Sequence, residues 1–263
     1  MAIRDDLGNR MKSYYEAVPK TKLMRRTPVA LRIDGKAFHT FTRGFKKPFD
    51  DIMCETMTDT MKYLCENIQG CVFGYTQSDE ITLILVDYQN LDTDAYFDYE
   101  VQKLCSVTAS MATMKFNKVF SDLVNDYTYK ESYSFACDDN IGYRTKLLQA
   151  KVKGAVFDCR CFNIPKEEVT NLVYWRQLDA ARNSVESLGR HYYSAKQLYK
   201  KSCKDIKQML IDDSKPLTYD MLDTKFQIGS ACKKGSNGKW VVDTNMPLLK
   251  GEDRQYLDSL IFI

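Results

Sequence analysis

The sequence predicts an α+β fold: a ferredoxin-like βαββαβ unit followed by a helical and β-hairpin C-terminal extension. Three observations predict it. Four short β-rich runs are spaced so that one helical stretch parts the first from the second and another parts the third from the fourth. Only Gln77-Ser78-Asp79-Glu80 joins the second run to the third, a hairpin connection. Both helical stretches repeat apolar residues at intervals of three and four, which gives each a face to pack on a sheet.

In chain order, residues 4–18 read as a short leading helix. Pro28–Asp34 is a strand by its β-branched and apolar content, and Gly35 lets the backbone turn after it. Asp50 or Asp51 suits the N-cap of a helix running to about Asn67, with Met53, Met57, Met61, Leu64 and Ile68 on one face. Cys71–Thr76 and Ile81–Val86 form the hairpin strands. Tyr96 to about Phe120 reads as a long helix packed through Leu104, Val107, Met111, Met114 and Val119, and 121–153 as less regular. Ala155–Ile164 is the fourth strand, stopped by Pro165. Helices over Lys166–Leu188 and Ala195–Leu210 follow, then a hairpin, Phe226–Lys233 and Lys239–Val242, around Gly235-Ser-Asn-Gly238. Residues 1–165 are thus the central unit, and 166–263 an extension packed on it in what reads as one compact domain.

Composition narrows the class. A chain of 263 residues, 44% apolar and 28% charged, buries a substantial core. It offers no signal pattern and no apolar run long enough to span a bilayer, so a soluble cytoplasmic protein is expected. Nine cysteines without a CxxC, and only two histidines, argue for reduced, mostly buried thiols over a structural zinc site. A formal charge of +3 does not announce a nucleic-acid binder. The basic residues cluster at Lys20, Lys22, Arg25 and Arg26, at Arg43, Lys46 and Lys47, and at Lys200, Lys201, Lys204 and Lys207; each cluster reads as a solvated face or a phosphate contact.

The chemistry rests on two aspartates. In a βαββαβ unit with right-handed crossovers the first and third strands are central neighbours, and the end of the first abuts the turn between the second and third. Asp34 and Asp79 stand at those two places. Two carboxylates within about 6 Å in a partly dry site call for a raised pKa or a cation, and oxygen ligands with room for water and phosphate favour Mg²⁺. Gly35 offers a backbone carbonyl, Ser78 a hydroxyl, and Glu80 a third carboxylate or a solvent-facing one. Lys46 and Lys47 are placed to meet a triphosphate. Against this stands the preference of Asp for turns, and an RNA-binding sheet of the same order as a non-catalytic alternative. Such a sheet exposes aromatic side chains on its central strands, and Ile-Thr-Leu-Ile-Leu-Val over 81–86 offers none.

Four blocks are more specific than the topology. They are Arg32-Ile-Asp34-Gly35-Lys-Ala-Phe38-His39, Phe45-Lys-Lys47-Pro48-Phe-Asp50, Gly74-Tyr-Thr-Gln77-Ser78-Asp79-Glu80, and Trp175-Arg176-Gln177-Leu-Asp179-Ala-Ala-Arg-Asn183. In order and approximate spacing they resemble the tRNA-histidine guanylyltransferase family, over roughly residues 1–190. The resemblance implies a polymerase-like palm that works in the 3′-to-5′ direction. A tRNA 5′-monophosphate is activated with ATP (or GTP), and the 3′-hydroxyl of an incoming triphosphate, often GTP, attacks it. It further implies two Mg²⁺ held by Asp34, Asp79 and the Gly35 carbonyl, with Glu80 beside them. The nucleotide would be contacted by Asp34, Gly35, Lys36, Ala37, Phe38, His39, Ser78 and Asp79, helped by Lys47 and Asn183. A homotetramer is implied as well. His39 reads equally as a phosphate contact or a packed, hydrogen-bonded residue. Trp175 and Arg176 read as a stack on RNA or, on an apolar helix face, rather as core and its salt-bridged edge. Ala181 stands where the histidine-specific enzymes carry a histidine, and Phe49 where many members have Asn. Both departures resemble the guanylyltransferase-like subgroup, which repairs 5′-truncated tRNAs against a template.

Overall fold

The computed structural model describes residues 6–133 and 141–263. Its elements are α1 (Asp6–Met11), β1 (Val29–Gly35), α2 (Phe38–Phe41), α3 (Asp51–Asn67), β2 (Cys71–Gln77), β3 (Glu80–Leu85), α4 (Val101–Tyr133), α5 (Ile141–Lys153) and β4 (Phe157–Asn163). The extension adds α6 (Lys166–Tyr192), α7 (Ala195–Leu198), α8 (Cys203–Asp212), α9 (Thr224–Ile228), β5 (Ser230–Lys234), β6 (Trp240–Asp243) and α10 (Gln255–Ile261).

The strands form one antiparallel sheet in the order β4-β1-β3-β2-β5-β6. Its first four strands have the order that βαββαβ connectivity produces, with β1 and β3 side by side. Asp34 lies opposite Glu80 on β3 and Asp158 on β4. The C-terminal hairpin continues this sheet at the free edge of β2.

Period-two alternation sends side chains to two cores. Leu31, Ile33, Ile81, Leu83 and Leu85 pack under α3 and α4 with Met57, Met61, Leu64, Phe116 and Phe120. Ala30, Phe73, Tyr75, Ile84 and Val86 pack under α6 and α10 with Val169, Val173, Leu257 and Ile261. Burial on both faces explains why the third strand is apolar almost throughout. A third cluster joins the C-terminal half of α6 to α8 through Val185, Leu188, Ile206 and Leu210.

Local chemistry sets the boundaries. Asp50 caps α3, accepting from the Met53 amide at 3.0 Å, and its other oxygen takes the Tyr143 hydroxyl at 2.7 Å. Four expectations are corrected. Helix α4 runs on to Tyr133, because 101–133 holds neither Gly nor Pro, and α5 fills most of the stretch read as irregular; 134–140 lie outside the described residues. Leu104 and Val119 are buried as expected, but the buried stripe of α4 runs through Leu104, Thr108, Ala112, Phe116, Phe120 and Val124, while Met114 is exposed. The Ala195–Leu210 helix is broken, since Ser194 with Gln197 and Ser202 with Asp205 each form a capping box. Strand β5 begins only at Ser230, after a short helix. Gly229 makes the transition at φ +88°, where a Cβ would stand 2.6 Å from the Thr76 carbonyl oxygen.

Candidate active site

The end of β1 and the β2–β3 turn meet as the topology requires. The Gly35 amide donates to the Asp79 carbonyl at 3.1 Å, and the next amide, of Lys36, donates to Val156 at 2.8 Å. Ser78 turns the hairpin in the left-handed region at φ +52°, and its hydroxyl donates to Asp79 Oδ1 at 3.0 Å. Gly35 is required for space: a Cβ there would lie 2.2 Å from the Phe38 ring. Phe38 is buried among Phe41, Phe116 and Phe157, so this loop is pinned to the core by an aromatic cluster.

The three carboxylates differ in environment. Burial, then the neighbouring Glu80 and Asp158, raise the Asp34 carboxyl above the ordinary range. Burial also raises Asp79, against the Ser78 hydrogen bond that lowers it; Asp34 and Glu80 add to the rise. Glu80 is claimed by arginines: Arg32 Nη2 at 3.1 Å and Arg176 Nη2 at 2.6 Å. Asp34 and Asp79 are therefore the oxygen donors that could hold a cation, and Glu80 anchors α6. Among the described residues no group of three or more His, Cys, Asp and Glu converges as a cage. A small all-oxygen donor set fits Mg²⁺, which keeps waters and substrate phosphates among its ligands.

Beside the carboxylates opens a cavity of about 630 Å³. It is lined by Gly35, Ala37, Phe38, His39, Lys47, Ser78, Asp79 and Asn183, which the sequence had brought forward. Three residues brought forward with them stand outside the lining: Asp34, Lys36 and Glu80. Ala37 adopts φ +54° at the start of α2, and His39 is exposed, its Nε2 3.0 Å from the Thr40 hydroxyl. The wall also holds Lys46 and Phe49, and with them Arg190, Lys225 and Phe226, which the sequence reading did not bring to the site. Phe49 stacks on Phe226 of α9 at 4.7 Å, and Lys225 and Arg190 add positive charge. Lys46 lies over the Tyr143 ring at 4.9 Å. The Ser184 hydroxyl is buried at this wall without a protein partner.

Helix α6 explains the fourth block. Arg176 is buried and bridges Glu80 to Asp179, which also accepts from Arg182 and from Asn183 at 3.5 Å. Gln177 is fully buried, donating to the Pro247 carbonyl and accepting from the Leu249 amide, both at 2.9 Å. Trp175 corrects an expectation: it is half exposed, and Arg176, read as the edge, is the buried member of the pair. Three of the four basic residues before β1 are engaged within the protein. Lys22 pairs with Asp98, and Arg25 with the buried Asp87 at 2.7 Å. Arg26 donates to backbone carbonyls, including that of Asp87 at 2.9 Å. The eight described cysteines are free thiols, and no helix among the described residues is long and apolar enough to cross a membrane.

A family model described as tRNAHis guanylyltransferase matches residues 8–165. A bacterial tRNA(His) guanylyltransferase-like protein in complex with ATP is similar over 98% of this chain and 100% of its own, at 35% identity and TM-score 0.81. A like-named bacterial protein in complex with GTP covers the same shares at 33% identity and TM-score 0.75. An uncharacterised protein of Acanthamoeba polyphaga mimivirus is 31% identical over 205 residues, 73% of this chain and 64% of that relative. The chain thus spans under two thirds of the viral relative's length.

Proposed function

Because the chain belongs to the tRNAHis guanylyltransferase family of nucleotidyltransferases, we propose that it adds nucleotides to the 5′ end of tRNA. The growth runs 3′ to 5′ and repairs 5′-truncated tRNAs against their own template strand, with ATP or GTP activating the 5′ end. The observation that carries the reading is the union of Asp34 and Asp79, tied by the Gly35–Asp79 backbone bond at the edge of a cavity of about 630 Å³. That volume suits a nucleoside triphosphate.

Asp34, Asp79 and the Gly35 carbonyl would hold two Mg²⁺. When bound, these supply Lewis acidity toward the reacting phosphorus and charge neutralisation for departing pyrophosphate. The protein's own groups do the rest. Lys46, Lys47, Arg190 and Lys225 neutralise phosphate charge along the cavity. Ser78 fixes the Asp79 carboxylate, and Ser184 offers a buried hydroxyl to the nucleotide. Arg176 positions α6, and with it Asn183, against Glu80 beside the catalytic turn.

A second reading, one guanosine added to histidine tRNA, follows from the relatives' names; Ala181 favours repair. Incubation with a 5′-truncated, non-histidine tRNA and the four triphosphates separates them. Additions that follow the template support repair, and activity confined to histidine tRNA overturns it. A purely RNA-binding sheet is disfavoured, because helices cover both faces of the central strands. The reading also places the protein in the cytoplasm as a homotetramer, which light scattering on the purified chain tests for its assembly.

A further inference from the structure

Asp34 also borders a strip outside the cavity, on the face of β1 toward α6. Arg32 on β1 and Glu80 on β3 are partly buried there, and Asp158 and Arg160 on β4 are exposed. Trp175 stands over this strip, ahead of the cavity wall, which on α6 begins at Ala180. Its indole is 51% exposed, with the Arg32 and Arg176 guanidiniums 5.6 and 4.5 Å from the ring centroid.

A single exposed aromatic is ordinary. This one is braced. Both guanidiniums are fixed by Glu80, so the ring gains cation–π contacts from groups that are themselves immobile. Two more exposed guanidiniums stand on the same elements, Arg160 on β4 paired with Asp158 at 3.7 Å and Arg182 on α6 paired with Asp179. A rigid aromatic face set among arginines beside the reacting centre is how proteins hold an unpaired base while neutralising its backbone.

We infer that Trp175 is a stacking platform for an unpaired nucleobase at the open end of the RNA substrate, which approaches Asp34 along the α6 side while the triphosphate fills the cavity. This rests on the tRNA-extending reading above. Arg32 and Arg176 act as positioning residues that hold the ring.

The chain has two tryptophans, so Trp240→Phe leaves Trp175 as the sole indole reporter. Titration of that protein with 5′-truncated tRNA quenches its fluorescence, and a blunt duplex of the same acceptor sequence quenches it less. Trp175→Ala weakens truncated-tRNA binding about 5- to 150-fold, Trp175→Phe recovers most of the loss, and both keep the parent's GTP affinity. Absence of quenching, or parental tRNA affinity in Trp175→Ala, overturns the inference. So does a GTP affinity that falls in step with tRNA affinity, the mark of a structural role. If the parent extends tRNA while Trp175→Ala binds it normally, this inference alone fails. Quenching without any incorporation by the parent sinks the functional reading instead.

Discussion

Replacing Gly35 with alanine tests how the site is braced. The added Cβ would lie 2.2, 2.4 and 2.8 Å from three Phe38 ring atoms, where carbon contacts settle near about 3.5–4.0 Å. The ring cannot simply retreat. It is 4% exposed, with Phe41 and Phe157 centroids at 5.1 Å and Phe116 at 5.5 Å. Overpacking of this kind costs about 1–3 kcal/mol, and alanine returns about 0.4–1 kcal/mol by restricting the unfolded chain. A net loss of about 1–2 kcal/mol in urea unfolding is expected. In a Phe38→Ala background, whose own cost is about 3–5 kcal/mol, the contact is gone and Gly35→Ala should cost nothing. Equal losses in both backgrounds, or no loss in the parent, would refute the ring contact as the reason for glycine. Nucleotide incorporation should fall more steeply than stability, because the same backbone carries the Gly35–Asp79 hydrogen bond.

Other substitutions probe the charges and the cavity. Burial raises the folded pKa of Asp79 above its unfolded value, so stability falls as pH climbs from the ordinary carboxylate range through the raised value. In chelator, Asp79→Asn should therefore melt higher than the parent at pH 7 and equally at a pH below both values; a lower melting temperature at pH 7 contradicts the burial argument. Saturating Mg²⁺ should stabilise the parent, by about 2.7 kcal/mol at a hundred times its Kd, and leave Asp79→Asn unmoved in calorimetry. Arg176→Met leaves Glu80 to Arg32 and Asp179 to Arg182, so it should cost about 1–3 kcal/mol in urea unfolding, the loss of charge-assisted hydrogen bonds at a buried site. Ser184→Ala should preserve stability and weaken GTP binding about 5- to 10-fold by isothermal titration, as loss of one hydrogen bond to the ligand predicts.

Much of the fold was legible because its signals are local. The β-rich runs ending at Asp34 and flanking the Gln77–Glu80 turn, set in βαββαβ order, led to the β1–β3 pairing, and the Asp34–Glu80 register agrees with it. Of the two adjacent cap candidates, Asp50 and Asp51, it is Asp50 that caps α3. What escaped was set at long range. Nothing near Glu80 foretells that Arg176, ninety-six positions later, would hold it. Trp175 sits in an apolar helix, yet Val169, Val173, Arg176, Gln177 and Ala180 took the buried side. Phe226 and Lys225 reach the cavity only because β5 joins the sheet beside β2 and brings α9 with it. One miss was local: Ser202-Cys-Lys-Asp205 spells a capping box, which starts α8 anew after Lys200 turns left-handed at φ +59°.

The central claim is that Asp34 and Asp79 form one metal-dependent site for nucleotide addition, beside the surface that meets RNA but not needed to bind it. Its most direct test is incorporation of labelled GTP into 5′-truncated tRNA by Asp79→Ala, with tRNA affinity measured on the same preparation. Incorporation should drop to background while the Kd for tRNA stays within about twofold of the parent, since each RNA phosphate is met by basic groups elsewhere. Undiminished incorporation would contradict the account outright.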